Sequence, residues 1–321
     1  MSDPTAPHHP NRRSRRHVLA GLAGGALLAP AALPRTAAAE PEPGPPPATA
    51  ARADAWVSAV QMPAWLERAG RREPLVAGTA LAAADAVVTG PGARVQLRLA
   101  EGSAVRLGES GRLVIGELRT RRGARIAVDA ALEIARGAFR FTTTQLSRLR
   151  GERDLRVRIA TVTAGVRGTD FWGRGTDERE IVCLIEGRIQ VARDGEAPVE
   201  MSQARSFYIA PVGAPALPVA PVDDKQLAIW AADTALVPGA GATLTGGRVA
   251  LTVVESGQQD EALRAWDTLR AAGYAARIRP EPGADASMVY RVRIEQLASR
   301  AEAAGLARRI AKLPGLAPAT P

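Results

Sequence analysis

The sequence has little of the residue types on which most catalytic and metal sites depend. Its three histidines are His8, His9 and His17, and its single cysteine is Cys183, in a chain of 321 residues. Without an imidazole beyond position 17, Ser-His-Asp and Cys-His catalysis and histidine metal sites are excluded from the rest of the chain. One cysteine can form neither an internal disulfide nor a cysteine metal site. We therefore expect no cofactor, no metal ion and no enzyme activity.

Nucleotide-binding motifs are also missing. The chain has no Walker loop, and the glycines at 239–241 lack the GxGxxG spacing of a dinucleotide-binding turn. Carboxylate pairs remain available for glycosidase-type hydrolysis, so a wall-modifying enzyme stays open as an alternative, although no motif supports it. Lysine occurs only at Lys225 and Lys312, and the arginine excess is typical of a coding bias rather than a polyanion site. We expect no nucleic-acid partner.

The amino-terminal segment resembles a twin-arginine export signal. Arg15 and Arg16 follow Ser14 and precede an apolar stretch, with Val18 where the consensus has an aromatic residue. The stretch from Val18 to Leu33 is rich in glycine and alanine and is too short and weakly hydrophobic to span a membrane. The small residues at 37–39 offer a cleavage site. We expect residues 1–39 to be a cleaved signal; an uncleaved membrane anchor is the alternative.

Cleavage would leave a moderately basic protein in the periplasm. Residues 1–39 contain five arginines and one aspartate, so their removal lowers the formal charge from +9 to +5. The remaining sequence has no run of 18 apolar residues, so we expect no transmembrane segment after cleavage. An unpaired cysteine fits folding in the reducing cytoplasm before export.

Composition divides the remaining chain into four segments. Proline-rich residues 40–55 are predicted to be disordered, and the prolines of 211–221 with the glycines of 239–247 predict a linker containing a short helix near 225–236. The predicted segments are a disordered region at 40–55, an all-β domain at 56–210, a linker at 211–247 and a second domain at 248–321.

Residues 56–210 read as short strands separated by glycine-containing turns. Arg94–Leu99 alternates apolar and polar residues, 101–103 turns the chain, and the alternation resumes at Val105. We predict an all-β domain of short strands, either a sandwich or a solenoid-like fold.

Four ordered motifs in this region resemble the FecR domain. They are Leu-x-Leu-Ala-Glu-Gly-Ser from Leu97, Gly-Ala-Phe-Arg-Phe from Gly137, Val-Arg-Gly-Thr-Asp-Phe from Val166 and Glu-Gly-Arg-Ile-Gln-Val from Glu186. The resemblance spans about 76–210 and implies a periplasmic β module for protein contacts. Family members that signal to a sigma factor have a cytosolic segment and a membrane helix, which we do not find here. Arg167 could contact a partner, but we favour a structural role in which it binds loop carbonyls or Asp170.

The pattern changes after residue 248. An apolar run at 249–254, a helix at 259–272, strands at 274–279 and 288–294 and a helix at 299–312 predict a small α+β, ferredoxin-like fold. Ser299 and Glu302 fit a capping box at the start of the second helix.

This segment resembles the SPOR domain, the sporulation-related repeat. The resemblance rests on Leu-Arg-Ala-Ala-Gly-Tyr from Leu269, Tyr-Arg-Val-Arg-Ile from Tyr290 and Ala-Ser-Arg-Ala-Glu-Ala from Ala298. It implies binding to peptidoglycan glycan strands stripped of stem peptides. The chain departs from the family at Thr252, at 254–256 and at 295–297, where a glutamine and aromatic residues are expected, and its last strand is truncated.

The predicted glycan site lies on the open face of this sheet. Strand alternation places Arg291 and Arg293 on that face with Ala250, Thr252 and Val254, whereas 292 and 294 face the helices. We take Thr252, Arg291 and Arg293 as the candidate peptidoglycan-binding residues; the alternative is that the arginines only solvate an exposed sheet.

Beside the wall-modifying enzyme, two non-enzymatic functions remain open at the level of sequence. The first is a non-enzymatic periplasmic protein, located at the wall or septum, that binds glycan strands through the SPOR-like domain and an unidentified envelope protein through the FecR-like domain. The second is a protein-interaction or regulatory module that has lost glycan affinity.

Overall fold

A computed structural model describes residue 44 and five longer stretches of the chain, which belong to one compact unit. The stretches are residues 53–122, 126–143, 151–166, 169–283 and 287–316. The predicted signal with Arg15 and Arg16, most of the predicted disordered segment, and Arg167 lie outside the described residues. None of the helices within them is long and apolar enough to cross a membrane.

The strands form two sheets, which one long strand joins. Sheet A contains β1 (Ala55–Gln61), β4 (Ala80–Leu81), β6 (Arg94–Leu99), β7 (Ala104–Leu107), β12 (Asp170–Gly175), β13 (Arg179–Glu186), β16 (Ser206–Pro211), β17 (Ala220–Pro221), β18 (Ala242–Leu244), β19 (Val249–Ser256), β20 (Ala276–Pro282) and β21 (Met288–Leu297). Sheet B contains β2 (Ala64–Arg68), β3 (Arg71–Pro74), β5 (Ala86–Thr89), β8 (Arg112–Arg122), β10 (Gly151–Ile159), β11 (Val162–Val166), β14 (Ile189–Arg193) and β15 (Val199–Met201). The joining strand is β9 (Ile126–Thr142).

Strand β9 changes sheets at Gly137. Residues 126–136 pair with β8 in sheet B, and residues 137–142 pair with β7 and β12 in sheet A. Gly137 has a φ of +94°, and a Cβ there would lie 2.6 Å from the Cα of Gly111. Only glycine fits such a left-handed, crowded position without strain. This glycine, the first residue of the Gly-Ala-Phe-Arg-Phe motif, therefore lets one strand take part in both layers of the β domain.

The core of the β domain lies between the two sheets. Phe139, Phe141 and Phe171 are fully buried in it, and the Phe139 and Phe171 rings meet edge to face at 5.5 Å. Ile159 reaches the same core from sheet B, since a Cβ on Gly173 of sheet A would lie 2.9 Å from its Cδ1. Alternating apolar residues on short strands produced this arrangement, and the predicted all-β fold is confirmed. The hairpin predicted around residues 101–103 is formed by β6 and β7.

The α+β module follows the predicted order. Its helices are α2 (Gln259–Ala271) and α3 (Arg300–Ile310), and β21 lies between β19 and β20. The helices cover one face of the sheet, where Leu251, Val292 and Ile294 are buried. Residues 311–316 form turns, so the described part of the carboxyl terminus adds no further strand.

The segment predicted as a linker is ordered between its two neighbours. Its helix, α1 (Asp224–Ala232), packs on the outer face of sheet A, where Trp230 stacks on Trp172 at 4.9 Å. Strand β18, within the stretch expected to be flexible, pairs with β1 on one side and meets Leu297 of β21 on the other. Glycine content indicated mobility, but long-range backbone hydrogen bonds hold these residues, which composition alone does not reveal. Sheet A is consequently continuous from the β domain into the α+β module.

Candidate functional site

The candidate site is the open face of the carboxy-terminal sheet, on which strand alternation predicted the glycan-binding residues. We define the open face as the side of β19, β20 and β21 turned away from α2 and α3. Its charged residues are Glu255, Arg277, Arg279, Glu281, Arg291, Arg293 and Glu295. The register brings the predicted residues together, because Thr252 lies opposite Arg293 and Glu255 lies opposite Arg291.

Bulges in β19 shift part of the predicted pattern. The register slips between Thr252 and Val254, so that Val254 lies opposite Val292 and packs against the core. Glu255 takes the place on the open face that simple alternation gave to Val254. The assignment of Val254 to the open face was wrong, because one extra residue in a strand moves every later side chain to the opposite face.

The arginines of the open face are bound to carboxylates. Arg291 donates from Nε to Glu255 at 2.7 Å and also contacts Glu281. Arg279 binds Glu295 through two hydrogen bonds of 3.0 and 3.1 Å. The hydrogen bond from Arg291 lowers the pKa of Glu255, and the same bond raises the pKa of Arg291. These pairs satisfy much of the donor capacity of the face within the protein itself.

Two arginines that sequence reasoning did not select are more accessible than those it did. Arg277 and Arg279 lie directly opposite Arg293 and Arg291, and their side chains are 59% and 48% exposed, compared with 33% and 31%. The alternation of Arg277, Ile278 and Arg279 could have identified them once β20 was paired with β21. Along the described open face no aromatic side chain is available for stacking on a sugar.

A buried carboxylate holds the 239–242 segment on α3. Glu302 accepts hydrogen bonds from the backbone N–H groups of Gly239, Gly241 and Ala242 at 2.7, 2.6 and 2.8 Å. Ser299 caps the helix, since its Oγ accepts from the Glu302 N–H at 3.2 Å. The half of the predicted capping box that Ser299 supplies is therefore present. The Glu302 side chain instead binds the 239–242 segment, because three backbone N–H groups bind a carboxylate more strongly than one.

The first strands of the β domain also pack against the α+β module. Ala64 donates its N–H to the Gly273 carbonyl at 3.1 Å, and a Cβ on Gly273, whose φ is +84°, would lie 2.6 Å from the Trp65 ring. A cavity of about 70 Å³ remains where Val76 and Ala77 approach Arg277 and Glu295, at the border of the open face. The β domain therefore lies beside the candidate site.

Two of the FecR-like motifs of the β domain are joined by an ion pair at the edge of its core. Arg140 forms a two-bond ion pair with Asp170, at 2.9 and 2.7 Å, which joins the Gly-Ala-Phe-Arg-Phe motif to the Thr-Asp-Phe motif. Asp170 is 9% exposed, so this pair is largely shielded from water. The described residues thus give Asp170 a different partner from Arg167, which sequence reasoning had considered.

These features define a chain in which an all-β sandwich continues into a small α+β module with a charged open face. The sequence profile described as FecR protein matches residues 85–190, and that of the SPOR domain matches residues 245–319. The chain contains a FecR domain followed by a SPOR domain, and neither kind of domain is catalytic.

Similarity to proteins of known structure is limited. Two crystal structures of a candidate anti-sigma factor from Parabacteroides distasonis ATCC 8503, at 1.65 and 2.50 Å resolution, are 16% identical to the chain, each with a TM-score of 0.36. The similarity covers 46% of this chain and 64% and 63% of those chains, just under two thirds of their length. No curated protein matches the chain.

Proposed function

We propose that the protein binds peptidoglycan glycan strands in the periplasm through the open face of its SPOR domain, while the FecR domain contacts an envelope protein. The observation that carries this proposal is the SPOR match over residues 245–319 together with an open face that no helix of the described residues covers. Thr252, Arg277 and Arg293 form one row across the three strands of that face. Their hydroxyl and guanidinium groups suit sugar hydroxyls and the carboxylates of the wall.

A sacculus pull-down tests the glycan part. Purified protein is mixed with sacculi, with sacculi treated with an amidase to remove stem peptides, and with a wall-free control. We expect the highest recovery from amidase-treated sacculi and loss of most of that recovery in Arg277→Ala/Arg293→Ala. The matched control is Arg264→Ala, an exposed arginine on α2. Equal recovery from all three preparations, or equal recovery of both variants, would contradict glycan binding at this face.

A second candidate function is favoured by the ion pairs of the open face. Because Glu255, Glu281 and Glu295 occupy Arg291, Arg293 and Arg279, glycan would have to compete with carboxylates already in place. In this alternative both domains bind envelope proteins and glycan affinity is lost. Crosslinking in cells that recovers a protein partner but no muropeptides would support it.

Export through the twin-arginine pathway belongs to the same proposal. Replacing Arg15 and Arg16 by lysine in a reporter fusion should retain the protein in the cytoplasm. Continued export of this variant would argue against the pathway.

A further inference from the structure

A large hollow lies where the end of the FecR match meets α1, and it shares no residue with the open face of the SPOR domain. It runs between α1 and the outer face of sheet A, has a volume of about 830 Å³ and adjoins a second hollow of about 330 Å³ that shares Arg174 and Asp177. We call the larger hollow the α1 groove. Its apolar wall includes Phe207, Ile229 and Trp230, and its rim includes Asp177, Glu178 and Asp223.

The apolar wall leaves a large side chain in solvent. Ile229 is 51% exposed even though its neighbour Trp230 is 9% exposed and packed on Trp172. Phe207 meets the Trp230 ring edge to face at 5.8 Å and is only half-buried. An exposed branched residue beside a half-buried ring, at the mouth of a groove, is typical of a surface that binds another chain.

The rim carries negative charge on a protein that is otherwise basic. Among the described residues, the exposed carboxylates of Asp177 and Glu178 take part in no ion pair. Arg174 adds little positive charge, because it binds Asp233 at 2.6 Å and lies over the Trp172 ring. The rim therefore has three carboxylates and one further arginine, Arg179, for which the described residues provide no ion-pair partner. Such a groove attracts a cationic ligand and repels an anionic surface.

The geometry points to one class of occupant. We propose that the α1 groove binds a basic, amphipathic peptide segment of an envelope protein, whose apolar side chains contact Phe207 and Ile229 and whose cationic side chains bind Asp177 and Glu178. This inference rests on the proposed role of the FecR domain in protein contact and names the surface and the partner chemistry for it. A glycan fits less well, because Trp230 stacks on Trp172 and is only 9% exposed, so little of its ring is open to a sugar.

A pair of synthetic peptides tests the proposal. One probe is a 14-residue peptide of leucine and lysine at helical spacing with a photo-crosslinking group; the other has glutamate in place of every lysine. Binding of the purified protein is measured by calorimetry, and crosslinks are located by mass spectrometry. We expect the lysine peptide to bind, to crosslink within residues 176–179 or 226–230, and to bind more weakly as salt is raised. We expect no binding of the glutamate peptide.

Two substitutions and their controls locate the contact. Asp177→Asn/Glu178→Gln should weaken lysine-peptide binding by about tenfold, and Ile229→Ser by about fivefold. The matched controls are Asp260→Asn/Asp267→Asn, two exposed carboxylates on α2, and Val237→Ser, a residue 46% exposed outside the groove. Both controls should bind the peptide as the parent does. Failure of the lysine peptide to bind, crosslinks elsewhere, or equal effects of test and control variants would overturn the proposal.

A further arm separates this inference from the proposed glycan binding. Asp177→Asn/Glu178→Gln should be recovered with amidase-treated sacculi as well as the parent protein, since the groove and the open face contain different residues. Loss of sacculus binding in this variant would show that the groove binds glycan, which contradicts a peptide site. Normal peptide binding by Arg277→Ala/Arg293→Ala would leave the groove assignment standing even if glycan binding failed.

Discussion

The outer face of sheet A beneath α1 and the open face of the SPOR domain differ in what lies on them. On the outer face of sheet A in the FecR domain, Trp172 and Cys183 are fully buried beneath α1. On the open face of the SPOR domain, no helix in the described part of the chain covers the strands, which carry arginine–glutamate pairs instead. Apolar side chains on a sheet require a cover, since their exposure to water is costly, whereas paired charges tolerate solvent. The difference indicates that α1 stabilises the FecR domain, while the open face remains available for a ligand.

Removing the contact between α1 and sheet A should have the largest effect on the free energy of unfolding. Trp230→Ala deletes the ring that stacks on Trp172, and we expect the free energy of unfolding to fall by about 3 kcal/mol because a cavity replaces a large buried side chain. Urea denaturation measures this. Ile229→Ala, one position away and half-exposed, should change the free energy by less than about 0.5 kcal/mol. Similar effects of the two variants would show that α1 is not a cover.

The next prediction tests whether Glu302, through the 239–242 segment, couples the unfolding of α3 to that of the rest of the fold. Glu302→Ala leaves three backbone N–H groups without their acceptor, and we expect a loss of about 2 kcal/mol together with broadening or splitting of the unfolding transition. Glu302→Gln keeps an acceptor oxygen and should lose less. Calorimetry distinguishes the outcomes; an unchanged single transition in Glu302→Ala would mean that this contact does not join the 239–242 segment to α3.

Sequence patterns predicted the strands and helices better than the contacts between them. Alternation identified the β6–β7 hairpin, and the order of elements after residue 248 identified the α+β module, because both depend on local periodicity. The position of β18 between β1 and β21, and the three hydrogen bonds to Glu302, join residues about 60 to 180 positions apart. Composition described this segment as a linker because it carries no information on such distant partners.

The candidate site was predicted only in part, because sequence alternation shows which face of a strand a residue occupies but not which strand lies beside it. Alternation placed Arg291 and Arg293 correctly on the open face, but the bulge at 252–254 depends on packing and reversed the positions of Val254 and Glu255. The carboxylates that bind the arginines come from neighbouring strands, so they could be recognised only after the register was known. In the FecR domain, the α1 groove was missed because its walls come from β13, β16 and α1, which are separate in sequence.

The reactivity of the Cys183 thiol measures whether α1 stays packed on sheet A, and it requires no substitution. Burial beneath α1 raises the pKa of its thiol to about 12, so the thiol stays protonated at physiological pH and unreactive. We expect no reaction with a thiol reagent at pH 8 in the native protein and full reaction after unfolding in urea. In Trp230→Ala the thiol should react slowly under native conditions, because local opening of α1 exposes it. Rapid labelling of the parent protein would contradict burial of this face.

The smallest expected effect concerns the charges of the open face. Arg291 lowers the pKa of Glu255 below its ordinary value of 4.5, so this pair stabilises the fold above that pH and the contribution is lost as pH falls through the lowered pKa. Arg291→Ala should return the pKa of Glu255 toward its ordinary value, as measured by NMR titration of the carboxyl carbon. Arg293→Ala, whose contact is with Glu281, should leave Glu255 unchanged. Because the side chains of Arg291 and Glu255 are 31% and 53% exposed, the effect of the pair on stability should be far smaller than that of Trp230. If the pKa of Glu255 responded equally to both variants, the charges of the open face would act on one another collectively and not as defined pairs. A glycan that bound there would then displace no particular ion pair.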